Sequence, residues 1–166
     1  MSRTRGEANS ALYRARILLE AWDTMRSGST HTSTALLEGF LPAVRLHLMD
    51  AYGWFLLSVA GVEESSQIAV PRSTRDLPPT APGKSPAPEL GEFAQLERDG
   101  WLSQMLKDYR QDKNEDNRPR APGQGSSGLQ NLLVSDRQPP GYAVAQAWAD
   151  SLEAIMARMD DSLTEC

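Results

Sequence analysis

Three residues, His47, Asp50 and Trp54, have the types and the spacing that chemistry on a helix surface needs. Because residues three, four and seven positions apart share one side of a helix, all three side chains project from one edge. An imidazole beside a carboxylate can act as a general base, with Asp50 orienting the ring of His47. His47 and Asp50 are therefore the catalytic candidates, and Trp54 and Arg45 are the ligand-binding candidates.

The same pair also has a purely structural interpretation, which we favour. Polar groups at the margin of a core satisfy their own hydrogen bonds, and a histidine beside an aspartate does so readily. No serine, cysteine or second histidine is positioned by the sequence to complete a catalytic set. The alternative, a small-ligand binder or an enzyme that uses a cavity beside His47 and Asp50, stays open.

Several other kinds of site require motifs that the sequence lacks. Neither of the two histidines follows a glutamate by three residues, as a di-metal helical bundle requires. CxxC, HExxH and glycine-rich phosphate-loop patterns are also missing. The arginine–histidine spacing of the helical ribonucleases called HEPN is absent, because Arg45 and His47 are only two residues apart. We expect no metal and no cofactor.

The element that carries these candidates is a predicted central helix at residues 34–62. Its apolar residues cover more than one face, which predicts neighbours on more than one side. The hydroxyl-rich residues before it supply N-caps, and Gly61 is a candidate terminator. Pro42 removes one backbone donor inside the helix, so we expect a kink or a break there.

Three further amphipathic segments predict helices at residues 5–26, 89–110 and 142–163. The third helix of the chain, at residues 89–110, should be broken at Asp99-Gly100, with Asp99 capping its second half. Residues 63–88 and 111–141 are rich in proline or polar residues and predict flexible loops. The predicted fold is all-α, a four-helix up-and-down bundle that forms a single domain of residues 1–166.

Charge is distributed unevenly along the chain, whose net charge is −5. Residues 1–30 hold five arginines against three acidic residues, whereas residues 142–166 hold one arginine against five acidic residues. This polarity favours antiparallel pairing of the first and last helices. No dense basic face with interleaved aromatics appears, so we expect no nucleic-acid partner.

Cysteine usage and hydropathy indicate a cytoplasmic protein. The single cysteine, Cys166, cannot form an intrachain disulfide, and acidic neighbours predict a slowly reacting thiol. The first residues lack the apolar core of a signal peptide, and the longest uncharged apolar run, residues 51–62, is too short to span a bilayer. We expect no membrane association.

The sequence has several landmarks, which are Arg3-Thr4, Leu12-Tyr13, Leu18 to Trp22, His47, Tyr52-Gly53, Trp101-Leu102 and Leu163 to Cys166. Together they resemble an uncharacterised family of small bacterial helical proteins, a domain of unknown function. The resemblance implies an all-helical cytosolic protein and supplies no functional residue.

The absence of catalytic motifs and the helical core favour a non-catalytic protein-interaction module over an enzyme. We expect an unidentified protein partner, and a chain that is a monomer or a weak homodimer. The proline-rich residues 63–88 hold a PxxP pattern, Pro79 to Pro82, but a solvated linker is the favoured interpretation over a docking segment.

Overall fold

A computed structural model describes residues 2–28, 30–62, 69–80, 83, 85–107 and 141–164, with side chains of the last helix described up to Met159. All regular secondary structure within these ranges is helical. The predictions made for residues 111–140 and for Cys166 lie outside the described residues.

The first two helices begin at capping side chains. Helix α1 spans Arg3–Ser27, and the Ser2 hydroxyl accepts a hydrogen bond from the Arg5 amide at 3.3 Å. Helix α2 spans Ser33–Val59, and the Thr32 hydroxyl accepts one from the Ala35 amide at 3.2 Å. These hydroxyls satisfy amides that the first turn leaves without an intrahelical partner.

The end of α2 confirms the predicted role of Gly61. This glycine has φ +67°, a left-handed conformation that favours a residue without Cβ. Its amide donates to the Ser58 carbonyl at 3.1 Å, and the Val62 amide donates to the Leu57 carbonyl at 3.0 Å. This pair of bonds is the Schellman motif, which closes the last turn.

Helix α2 runs through Pro42 as one element from Ser33 to Val59. The predicted break at Pro42 is therefore wrong, while the kink stays a prediction. An exposed proline is tolerated here because water can solvate the carbonyl that loses its partner.

The third predicted helix is broken at Gly100, as expected. Helix α3 spans Pro88–Asp99, and helix α4 begins at residue 101 and is described to residue 107. The carbonyl of Gly100 accepts a bond from the Ser103 amide at 3.0 Å, so Gly100 holds the capping position that we predicted for Asp99. A Cβ on Gly100 would lie 2.9 Å from the Leu96 carbonyl oxygen, so the close turn requires glycine.

Helix α5, Tyr142–Thr164, runs antiparallel to α1. Near one end the Arg5 guanidinium donates to the Met156 carbonyl at 2.8 Å, and near the other Trp22 packs edge-on against Tyr142. Between them Arg16 pairs with Asp150 at 2.6 Å and with Glu153. The pairing that we expected from the opposite charges of the first and last helices is confirmed.

Among the described residues, helix α2 contributes the largest share of the buried core. It lies antiparallel to α1, with Trp22 stacked on Phe40 at 5.8 Å and the Ser2 and Ser58 hydroxyls 3.5 Å apart. It also contacts α5 and α3, so the expectation of neighbours on more than one side holds. The buried residues of α2 are Leu36, Leu41, Val44, Arg45, Leu48, Met49, Ala51, Tyr52, Gly53, Phe55, Leu56 and Leu57.

The segment between α2 and α3 differs most from its prediction. Residues 63–88 were expected to form a linker without packed structure, which is wrong for residues 69–80. Pro71 and Ser73 are buried, and Thr74–Asp76 forms a 3-10 helix. A Cβ on Gly53 would lie 2.2 Å from the Pro71 carbonyl oxygen, so this segment packs directly onto the backbone of α2.

The fold of the described residues is all-α, as the sequence predicts. Among them, none of the helices combines the length and the apolar character needed to cross a bilayer.

Candidate functional site

The structure assigns Asp50 a partner other than His47. The Asp50 carboxylate pairs with Nη1 of Arg72 at 2.7 Å, and both side chains are about one-third exposed. Arg72 belongs to the segment that packs on α2, so the pair fastens this segment to the helix. His47 is partly exposed on the same helix edge. Asp50 thus has a structural partner, and the catalytic role of His47 with Asp50 stays an untested prediction.

The two ligand-binding candidates lie at different depths. Arg45 is buried between α2 and α5, with its guanidinium carbon 5.6 Å from the centre of the Trp148 ring. A cation over an indole face is attracted by the ring quadrupole, which favours a packing role. Trp54 is partly buried and packs against the core. The structure does not bring Arg45 and Trp54 together in a described cavity.

The junction of α2, the 3-10 helix and α3 centres on Glu97, which sequence reasoning did not single out. Its Oε1 accepts hydrogen bonds from the Tyr52 hydroxyl at 2.6 Å and from the Thr74 amide at 2.7 Å. Its Oε2 accepts one from the Thr74 hydroxyl at 2.8 Å. A single carboxylate therefore joins three segments of the chain through charge-assisted hydrogen bonds.

Tyr52 is fully buried beneath this junction, with its ring edge-on to Phe93 at 5.7 Å. Burial, together with the hydrogen bond and the negative charge of Glu97, raises the pKa of the Tyr52 hydroxyl far above its ordinary value of 10. A tyrosine whose pKa is raised in this way stays protonated at neutral pH. It acts as a donor that fixes the Glu97 carboxylate.

An open cleft of about 290 Å³ lies where the 3-10 helix meets α3 and α4. Its lining includes the cations Arg75, Arg98 and Lys107 and the serine residues Ser73 and Ser103. The Glu97 carboxylate also faces it. His47 and Asp50 are not part of this lining, so this cleft is distinct from the cavity beside them that the alternative hypothesis requires, and that cavity stays a prediction.

The sequence carried only weak signals of this cleft. Ser73 and Arg75 belong to a proline-rich segment with no periodicity, and Arg98 and Lys107 lie on the polar faces of α3 and α4. Polar faces of helices are usually solvated, so the positions of these cations in the sequence do not distinguish them from ordinary surface residues. Their convergence follows from the docking of residues 69–80 at Gly53.

The outer face of α1 carries large apolar side chains without a helix among the described residues to cover them. Tyr13 is 67% exposed, Ile17 is 47% exposed and Met25 is 42% exposed. Tyr13 and Ile17 are one turn apart, and exposed Ala21 continues their ridge towards Met25. This set of four residues is called the α1 ridge below.

Comparison with models of protein families, with curated proteins and with solved structures found no match. The resemblance to a family of uncharacterised helical proteins accordingly stays a prediction.

Proposed function

We propose that the protein is a non-catalytic helical interaction module in the cytoplasm whose α1 ridge docks against the same ridge of a second copy. The observation that carries the proposal is the charge pattern around Ile17. Exposed Arg14 lies three residues before Ile17 and exposed Glu20 lies three residues after it. The order of charges along α1 is therefore complementary to that of an identical helix that runs in the opposite direction.

A twofold axis through Ile17 converts this pattern into a set of contacts. In an antiparallel helix pair with such symmetry, each residue faces the one at the mirrored position, so every contact occurs twice. Arg14 of each copy then faces Glu20 of the other, and Tyr13 faces the small side chain of Ala21. A close contact between two helices needs large side chains to face small ones and positive charges to face negative ones.

The charges nearest to this face support the same arrangement. Arg16 is held by Asp150 and Glu153 on the side towards α5, so it does not compete for Glu20. Among the described residues, Arg14 bonds only to Ser10 of its own helix, with Nε donating to the Ser10 carbonyl at 3.2 Å and Nη2 3.4 Å from the hydroxyl. Such exposed local bonds exchange readily for a carboxylate across an interface.

The contact is expected to be weak. One ridge on a single helix buries less than the roughly 1,200 Å² of total surface that marks the lower end of stable interfaces. We therefore expect micromolar or weaker self-association, populated at high local concentration.

Sedimentation equilibrium across a concentration series tests the proposal. The wild-type chain should show reversible self-association that added salt weakens, because the Arg14 and Glu20 charges are exposed. Ile17→Lys should abolish it by placing two like charges at the twofold axis. The matched control is Leu46→Lys on α2, where a side chain with 43% exposure lies off the ridge. A wild-type chain that is monomeric throughout, or equal loss in both variants, overturns the proposal.

The arrangement of the helices is also a proposal. We propose that α1, α2, the broken pair α3 and α4, and α5 form a four-helix up-and-down bundle. The antiparallel contacts of α1 with α2 and with α5 support it, as does the antiparallel course of α2 and α3 implied by the Phe55–Phe93 and Tyr52–Glu97 contacts.

A further inference from the structure

Independently of the self-association, we propose that the cleft lined by Arg75, Arg98 and Lys107 is a binding site for the phosphate group of a small organic phosphate. The chain is acidic overall, with a net charge of −5, yet these three cations converge on one concavity of about 290 Å³. A cluster of like charges is unfavourable unless a counter-charge neutralises it. The cleft therefore favours an anionic ligand over a neutral or cationic one.

The three cations lack a counter-ion within the described ranges. In the part of the chain that the structure describes, Arg75, Arg98 and Lys107 have no carboxylate within ion-pair distance. There, Arg98 donates only from Nε, to the Ala94 carbonyl at 3.3 Å, so both terminal nitrogens can reach a ligand. Arginine nitrogens in this fork geometry match the oxygens of a phosphate.

The carboxylate in the lining does not cancel this charge. Glu97 brings one negative charge against three positive ones, and three hydrogen bonds from Tyr52 and Thr74 already stabilise it. Asp76, next to Arg75 in the chain, accepts a bond from the Arg72 amide at 3.0 Å. The net charge of the lining stays positive, which selects an anion over a cation.

Two serine residues in the lining supply the second observation. Ser73 is 4% exposed and Ser103 is 5% exposed, and both line the cleft. Among the described residues, neither hydroxyl has a hydrogen-bond partner. A serine hydroxyl can donate one hydrogen bond, so both residues offer a neutral donor to a ligand bound among the three cations.

The size and donor set favour phosphate over a larger or less charged group. Ligand pockets begin at roughly 300 Å³, so the cleft suits a small molecule. Three cations with two hydroxyl donors exceed what one carboxylate can accept, whereas a phosphate monoester offers three terminal oxygens and up to two negative charges. The remaining volume accommodates a short polar organic group.

The test is an NMR titration of backbone amides at constant ionic strength, with inorganic phosphate, glycerol phosphate and acetate as probes. We expect saturable shifts at Ser73, Arg75 and Ser103 with both phosphates, and much smaller shifts with acetate. Equal shifts with acetate would reduce the site to a general counter-ion surface and overturn the proposal. Binding of inorganic phosphate without glycerol phosphate would overturn it as well.

Variants separate the site from general charge effects. Arg98→Gln and Ser103→Ala should each weaken glycerol phosphate binding, Arg98→Gln by about tenfold, because each removes a donor. Arg26→Gln is the matched control, since this exposed arginine lies on α1 outside the cleft lining, and it should leave the affinity unchanged. Equal weakening in all three variants contradicts a built site. The exposed position of Arg98 allows this variant to fold.

Discussion

The hydroxyl of Tyr52 on α2 donates a hydrogen bond of 2.6 Å to Oε1 of Glu97 on α3. Glu97 also accepts two bonds from Thr74, so this carboxylate holds the 3-10 helix in place as well as its own helix. The bond is buried on the Tyr52 side, where water cannot compete for the donor. It connects the core to the cleft.

Tyr52→Phe should lower the free energy of unfolding by about 1.5–3 kcal/mol, the usual worth of a hydrogen bond to a charged group. The ring and its packing on Phe93 are retained, so the loss reports the hydroxyl alone. Urea unfolding followed by circular dichroism measures it. Tyr13→Phe is the control, because its exposed hydroxyl should contribute within about 0.5 kcal/mol. Equal values for both variants would show that the Tyr52 bond contributes nothing to stability.

Stability should fall at alkaline pH because of Tyr52. The folded-state pKa of its hydroxyl is raised, by burial first and then by Glu97, above the unfolded value of about 10. The folded state therefore keeps a proton that the unfolded state loses, so this contribution is complete below about pH 10 and declines above it. Comparing wild type with Tyr52→Phe between about pH 8 and 11 isolates the effect. Parallel stability curves would contradict the raised pKa.

Gly53→Ala should destabilise the protein by about 1–3 kcal/mol or more, because the new methyl group would lie 2.2 Å from the Pro71 carbonyl oxygen. The segment of residues 69–77 must then move, and its amides should lose protection from hydrogen exchange.

Gly39→Ala is the matched control for this change. Gly39 lies in the same helix with no atom within 4 Å of its added Cβ, so alanine should stabilise the helix by about 0.5–1 kcal/mol. Opposite signs at the two glycines are the expected result. Stabilisation at both would mean that residues 69–77 do not pack on α2.

The helices were predictable because each has an apolar stripe with the helical period. The stripe around Ala145, Trp148 and Leu152 predicted α5 almost to its ends, since burial of one face depends only on local spacing. The sequence also predicted the interruption of the helix at Gly100, because glycine beside aspartate disfavours a continuous helix.

The docking of residues 69–80 was not predictable in the same way. It depends on a missing Cβ at Gly53, which in the sequence appears only as a small residue on an apolar strip. Glu97 likewise occupies an ordinary polar position of α3, and its bond to Tyr52 joins residues 45 positions apart. Such contacts depend on which faces meet, and helical spacing carries no information about that choice.

The most direct test of the proposed function is to mix two charge-reversed chains, Arg14→Glu and Glu20→Arg, and measure association by sedimentation velocity. Each variant alone places like charges opposite each other twice, so its self-association should fall by roughly tenfold relative to wild type. In the equimolar mixture, one chain presents carboxylates at both positions and the other presents guanidinium groups at both. Every cross-chain pair is then of opposite charge, so dimers should return to about the wild-type fraction. A mixture that remains as monomeric as its separate components would contradict the antiparallel α1 interface.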